Sequence, residues 1–182
     1  MTTATWTVAP DAVDRRLLSA ASFFTAVVLF HGLDHLRRGV DTIQRDVFWA
    51  GTSAMVLEIG IVVLICMRHR WAPLAAGLAG TSLALGYLLV HFLPQRGWLS
   101  DSLTSAAHPA PVSFAAAGLE VLAGALLGYV GFAGLASRGG LDAVARPHAG
   151  ELPWRDGLRH PVALTMLIGN LVLLVASIAQ LA

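Results

Sequence analysis

Residues 23–39 read FFTAVVLFHGLDHLRRG, an apolar run that meets His31, Asp34 and His35 and ends at two arginines. An apolar segment of ~20 residues is long enough to cross a bilayer core as a helix. Ionisable side chains near the end of such a helix are costly in lipid, so they mark a functional site or a polar packing contact. This stretch therefore predicts both a membrane-spanning helix and the place where its chemistry lies.

The composition of the whole chain predicts the same class of protein. Of 182 residues, 56% are hydrophobic and only 13% are charged, whereas soluble domains are ~25% charged. Five segments are long and apolar enough to span a bilayer, namely 17–36, 47–67, 73–93, 112–136 and 161–181. We therefore predict an all-α integral membrane protein whose residues 1–182 form a single membrane domain surrounded by the lipid bilayer.

Charge and residue content exclude several functions. The net charge of +1 provides no broad basic face, so nucleic acid is not an expected partner. The chain has no lysine and therefore cannot hold retinal or pyridoxal phosphate as a Schiff base. Cys66 is the only cysteine, which excludes an intramolecular disulfide.

The distribution of arginines predicts the orientation in the membrane. The N-terminus, the 68–72 loop and the 137–160 loop share one side, and eight arginines lie there: Arg15, Arg16, Arg68, Arg70, Arg138, Arg146, Arg155 and Arg159. The other side holds four: Arg37, Arg38, Arg45 and Arg96. The positive-inside rule then places the N-terminus in the cytoplasm and the C-terminus on the extracytoplasmic side.

The cytoplasmic loop 137–160 is the longest connection. Its Trp154 is interpreted either as lying at headgroup depth or as part of an ordinary solvated loop. Three histidines on this side, His69, His148 and His160, are interpreted as solvated.

An internal repeat is suggested by two similar stretches, VLFHGLDHLRRG at 28–39 and LLVHFLPQRGWL at 88–99. Each is followed in the next span by a glutamate, 27 residues after His31 in one half and 29 after His91 in the other. We therefore predict a duplicated helical hairpin built from the first four spans, with the fifth span added. Since both copies start on the same side, their symmetry axis would follow the membrane normal.

Two glutamates are predicted to lie deep in the membrane. Glu58 is ~18 Å along its helix from Asp46, and Glu120 is ~14 Å from Pro111. An ionisable group at that depth needs a partner, a polar cavity or a proton. Each is therefore expected to face the interior of the bundle.

The histidines lie on the outer half of the same bundle. His31, Asp34 and His35 follow an i, i+3, i+4 spacing and share one helix face. Tyr87 lies one turn below His91, and His108 precedes the fourth span on this side. These positions define a candidate cluster on the extracytoplasmic half: His31, Asp34, His35, Glu58, His91 and Glu120.

The residue types in the cluster predict a transition-metal site, with zinc, iron, manganese or copper bound by His31, His35, His91, Glu58 and Glu120. The protein would then be a membrane metalloenzyme, an oxidoreductase or a hydrolase. Its catalytic groups would be Glu58, Glu120 and Asp34, with Asp34 orienting a histidine. Because the glutamates come out ~5–9 Å deeper than the nearer histidines, a separate, deeper proton or substrate site is the alternative.

Other functions also fit these residues. His31 and His91, on separate helices, match the axial ligands of a b-type haem in an electron carrier that works with quinone. The glutamates with histidines above them match a path for protons or metal ions through a transporter. The polar groups could also only hold the bundle together in an accessory subunit of a larger membrane complex.

Glycines in the fourth span predict close helix packing. Gly124 and Gly128 form a G-x-x-x-G pair, extended by Gly131 and Gly134. Small residues at this spacing let helices approach closely. The contact could lie within the bundle or between the protomers of a homo-oligomer.

Overall fold

The computed structural model describes residues 11–94, 100–104 and 110–181. In these residues the chain forms helices joined by turns, and no strand occurs among them. The α-helices are α1 (Ala12–Arg38), α2 (Arg45–Cys66), α3 (Ala72–Phe92), α4 (Pro111–Ser137), α5 (Trp154–Arg159) and α6 (Pro161–Leu181). Two short 3-10 turns, Val40–Thr42 and Gly140–Ala143, lie in the connections.

All helices but the short α5 are long and apolar enough to cross a membrane. The predicted all-α membrane fold with five spans is confirmed. Large apolar side chains are exposed on the outside of the bundle, among them Val56, Leu122 and Val172. A helix that is apolar on every face is expected where one side meets protein and the other meets lipid.

The first helix begins earlier than predicted because Asp11 caps it. The Asp11 carboxylate accepts a hydrogen bond from the backbone N–H of Asp14 at 2.7 Å, which satisfies one of the free donors of the first turn. Arg138, just after α4, lies 2.9 Å from Asp11 and 2.7 Å from Asp14. Burial works to raise the pKa of Asp11, but the hydrogen bonds from Asp14 and Arg138 outweigh it and leave that pKa below its ordinary value.

Helices α3 and α4 pack closely along their length through glycines. A Cβ atom added to Gly80 of α3 would lie 2.8 Å from the carbonyl oxygen of Gly124 and 2.9 Å from the Cα of Gly128. A Cβ atom added to Gly124 of α4 would lie 3.1 Å from the backbone nitrogen of Ala84. The G-x-x-x-G pair of the fourth span therefore packs within the bundle, which answers the question left open by the sequence.

The two predicted hairpins are packed differently. Helix α1 lies mainly against α4 and α6 and touches α2 little, whereas α3 and α4 form an intimate pair. The duplicated hairpin thus stays a prediction. The loose contact between α1 and α2 leaves room between them on the half of the bundle that holds the candidate cluster.

The 137–160 loop is tied to the turn between α2 and α3. The Glu151 carboxylate accepts hydrogen bonds from the backbone N–H groups of Arg70 at 2.9 Å and His148 at 3.3 Å. The backbone N–H of Leu152 donates to the carbonyl of Met67 at 2.8 Å. His148 differs from its expected solvated state, because it is half-buried with its Nε2 atom 3.4 Å from Asp14.

Candidate functional site

Three histidines meet near the C-terminal ends of α1 and α3. The rings of His31 and His35, one turn apart on α1, are stacked with their centroids 4.4 Å apart. The ring of His91 lies with its edge against His31, at 4.7 Å between centroids, and 5.9 Å from His35. One ligand atom from each of the three lies within 4.8 Å of the others. We refer to His31, His35 and His91 as the histidine cluster.

Glu120 joins this cluster from α4. Its carboxylate accepts a hydrogen bond from the Nδ1 atom of His31, and both side chains are buried. The contact leaves the Nε2 atom of His31 as its remaining ligand nitrogen.

Glu58 has a different partner. Its carboxylate accepts a hydrogen bond from the Tyr87 hydroxyl of α3, and the glutamate is buried at 3% exposure. The two glutamates therefore have different partners: Glu120 contacts a histidine of the cluster, and Glu58 forms a pair with a tyrosine.

Asp34 is held by arginines. It accepts hydrogen bonds from Arg37 at 2.7 and 2.9 Å and lies 3.2 Å from Arg38. Arg37 also donates to the hydroxyl of Ser113 on α4 at 3.0 Å. The buried carboxylate thus pairs with both arginines that end α1, and Arg37 links this end of α1 to α4 through Ser113.

Sequence reasoning missed Asp101, which lies in the connection between α3 and α4. Its carboxylate accepts hydrogen bonds from Arg38 at 2.7 and 3.3 Å, and its backbone carbonyl lies 3.3 Å from the Nδ1 atom of His91. One signal pointed to it: an acidic residue shortly after His91, on the same side as a pair of arginines. His108 and Arg96, also placed on this side from the sequence, lie outside the described residues.

The hydrogen bonds show which ring nitrogens of the cluster are already engaged. His31 and His91 each point Nδ1 at an oxygen acceptor, so the Nε2 atom of each is left as a ligand. Arg38 donates to the Nδ1 atom of His35 at 2.7 Å, so a neutral His35 carries its proton on Nε2. Ligation through His35 then requires Arg38 to turn away, so that Nδ1 either binds the ion or takes over the proton of Nε2.

A cavity of about 310 Å³ adjoins the histidine cluster. This volume is at the small end of the ~300–1,000 Å³ typical of ligand pockets. Most of its wall is apolar, and its polar lining includes His31, His35, Glu58, Tyr87, His91 and Glu120. The structure therefore brings together every predicted site residue except Asp34.

A second group of acidic and histidine side chains lies at the opposite end of the bundle. Ligand atoms of Asp11, Asp14 and His148 lie within 4.8 Å of one another. The Arg138 guanidinium is already among them, 2.7 Å from Asp14. A bound cation would be repelled by this arginine, and the group is best described as an ion-pair network that joins α1, α4 and the 137–160 loop.

Comparisons of the chain with protein-family models, curated proteins and solved structures find no match. The function is therefore inferred from the side chains of the site.

Proposed function

We propose that this integral membrane protein binds a divalent transition-metal ion through His31, His35 and His91. The observation that carries the proposal is the approach of three histidine nitrogens from two helices to within 4.8 Å of one another. Two nitrogens that bind one zinc ion at ~2.0–2.1 Å lie at most ~4 Å apart. Side-chain rotations that move the ring nitrogens by about 1 Å would thus close the site around an ion.

Glu120 supports the proposal from outside the ligand set. Metal-binding histidines usually donate their second ring N–H to a carboxylate or carbonyl, which fixes the ring and makes the ligand nitrogen more basic. His31 has this arrangement with Glu120, and His91 has it with the backbone carbonyl of Asp101. The Glu120 carboxylate also supplies negative charge that offsets part of the charge of a bound cation.

Three imidazole ligands suit zinc, copper or iron, and a carboxylate added from Glu120 or Glu58 would extend the choice to manganese. Three protein ligands with a fourth position open to water or substrate are typical of catalytic zinc sites. On this basis the protein would be a metal-dependent oxidoreductase or hydrolase. Glu58, Glu120 and Tyr87 would carry protons at the cavity, and Asp34 would hold Arg37 and Arg38 in place.

The first experiment is elemental analysis of the purified, detergent-solubilised protein and of two variants. We expect about one metal ion per chain in the wild type and loss of that ion in the double variant His31→Ala/His91→Ala. The matched control is His160→Ala, which removes a histidine from the opposite side of the membrane and should keep the metal. Unchanged metal content in the double variant would overturn the proposal.

A haem is the second cofactor to consider, and the ring geometry favours a single ion over it. The His31 and His91 rings are in direct contact, with 4.7 Å between centroids. In bis-histidine ligation the haem iron and its macrocycle lie between the two axial imidazoles, and rings in contact leave no room for them. An absorption spectrum of the same sample distinguishes a haem from a single ion, since a b-type haem gives a strong Soret band.

A path for protons or metal ions is a further candidate, favoured by one observation. The Glu58–Tyr87 and Glu120–His31 pairs line the same cavity. We expect Glu58→Gln/Glu120→Gln to abolish ion flux in liposomes if this path is used. Undiminished flux in that double variant would exclude it.

We further propose that the site lies on the extracytoplasmic half, with the N-terminus in the cytoplasm. The arginine distribution supports this orientation. A reporter enzyme that is active only outside the cytoplasm, fused after α6, should be active, and the same reporter in the 137–160 loop should be silent. The reverse pattern would overturn the orientation.

A further inference from the structure

The cavity beside the histidine cluster extends well beyond the polar groups. Its wall includes apolar side chains from three spans, such as Phe48 and Met55 of α2, Leu83 of α3, and Leu173 and Leu174 of α6. A metal ion needs only the nitrogens at one end of this space. The remaining volume has the chemistry of a binding site for an apolar chain.

The cavity opens on the outer surface of the bundle at membrane depth. Its lining includes Ala50 and Gly51 of α2 and Ser82 of α3, and all three are exposed. Gly51 lies ~9 Å along α2 from Arg45, and Ser82 lies ~15 Å along α3 from Phe92. These depths belong to the hydrocarbon region of a bilayer, so a ligand can enter sideways from the lipid.

The polar end of the cavity offers hydrogen-bonding groups from several helices. The carboxylate of Glu58 is paired with the Tyr87 hydroxyl, and that of Glu120 with His31. Asn170 also lines the space and donates its amide to the Met166 carbonyl at 2.9 Å. A ligand hydroxyl can donate to the second oxygen of the Glu58 carboxylate while the Tyr87 phenol keeps its own hydrogen bond to the first.

We propose that this cavity binds a membrane-dissolved lipid with an apolar chain and a neutral hydroxyl head group, which hydrogen-bonds to the Glu58–Tyr87 pair. A carboxylate head group would lie beside two glutamates, and burying an unpaired charge in an apolar site is costly. A hydrocarbon without a head group would offer the Glu58–Tyr87 pair no hydrogen bond. The proposal needs no metal and goes beyond the proposed metal site.

The test uses the full chain, stripped of metal, in lipid nanodiscs with a photoreactive long-chain alcohol that carries a diazirine. We expect saturable labelling that maps to peptides of α2 and α3. An unlabelled alcohol should compete about 5–10-fold better than the alkane of the same length, since one or two hydrogen bonds distinguish them. Equal competition by the alkane or by the corresponding fatty acid would overturn the proposal.

Two glycines of α2 supply a matched pair of variants. A Cβ atom at either Gly51 or Gly60 would meet nothing within 4 Å, so both positions accept a larger side chain. Only Gly51 lines the cavity. Gly51→Phe should lower labelling at least several-fold, and Gly60→Phe should leave it unchanged.

A third glycine keeps the test decisive if Gly51→Phe does not fold. Gly86 of α3 also lines the cavity and has open space at its Cβ position, so Gly86→Phe should have the same effect. Tyr87→Phe should reduce the preference for the alcohol over the alkane while labelling by the alkane persists. Wild-type labelling in a folded Gly51→Phe or Gly86→Phe protein would show that the probe binds elsewhere and overturn the proposal.

Discussion

Glu120 on α4 accepts a hydrogen bond from the Nδ1 atom of His31 on α1, and both side chains are buried inside the bundle. The pair fixes the orientation of the His31 ring, and this decides which nitrogen faces His35 and His91. The glutamate therefore acts on the histidine cluster without needing to be a ligand itself. This separation of roles gives the first prediction.

Glu120→Gln should weaken metal binding by about 10–100-fold, the usual effect of removing a carboxylate partner from a metal-binding histidine. Glutamine can still accept the hydrogen bond from His31, but it lacks the negative charge. Affinity is measured by competition with a chelator of known strength. Glu58→Gln is the control, because Glu58 bonds to Tyr87, and it should change affinity only a few-fold. An equal loss in both variants would contradict the assigned roles.

Arg38 is predicted to oppose metal binding. It donates to the Nδ1 atom of His35 at 2.7 Å and brings a positive charge to the cluster. Arg38→Gln should therefore tighten metal binding by up to about tenfold, a modest gain because the arginine is partly exposed and already paired with acids.

Arg37→Gln provides the comparison for Arg38. Arg37 bonds to Asp34 and Ser113, so its loss should lower stability more than it changes affinity. Tighter metal binding in Arg37→Gln, with unchanged affinity in Arg38→Gln, would contradict the role assigned to Arg38. Isothermal titration with zinc distinguishes the two results.

Gly80 is predicted to be essential for the contact between α3 and α4. Gly80→Ala places a methyl group 2.8 Å from the Gly124 carbonyl, so the helices must separate at a cost of roughly 1–3 kcal/mol. Gly60→Ala, where the Cβ atom meets open space, should be neutral or slightly stabilising because alanine favours the helix. Thermal unfolding in detergent measures both. A Gly80→Ala protein as stable as wild type would show that the packing is looser than described.

The spans and the placement of His31 and His35 on one helix face were predictable because they depend on local properties. Apolar length sets the helices, and the i, i+4 spacing puts His31 and His35 on one face. The choice of partner for each glutamate was not predictable. It depends on how the helices are rotated about their axes, and glycine contacts such as Gly80 against Gly124 set that rotation.

The role of Asp101 was not predictable for another reason. It lies in a connection rather than on a span, and no periodicity describes the path of a loop. Its contacts with Arg38 and His91 exist because the end of α3 and the end of α1 meet at the same level. The predicted repeat would pair His91 with Glu58 as the counterpart of the His31–Glu120 pair, but each of these two residues has another partner.

Glu151 is predicted to make stability depend on pH. Burial works to raise its pKa, but hydrogen bonds from the backbone of Arg70 and His148 outweigh this and leave the pKa below its ordinary value. A carboxyl group with a lowered pKa in the folded state stabilises the protein above its unfolded pKa of ~4.3, and that contribution is lost as the pH falls through the folded pKa.

Glu151→Gln should therefore lower the melting temperature at about pH 7, by the equivalent of no more than ~1 kcal/mol because the carboxylate is largely in solvent. The difference between wild type and variant should shrink as the pH falls below ~4.3 and disappear below the folded pKa of Glu151, where both side chains are neutral. Asp142→Asn is the control for removing an exposed charge from the same loop, and it should lower the melting temperature at about pH 7 less than Glu151→Gln does. A difference between wild type and Glu151→Gln that stays constant from neutral to acid pH would mean that the charge of Glu151 does not hold the loop against the α2–α3 turn.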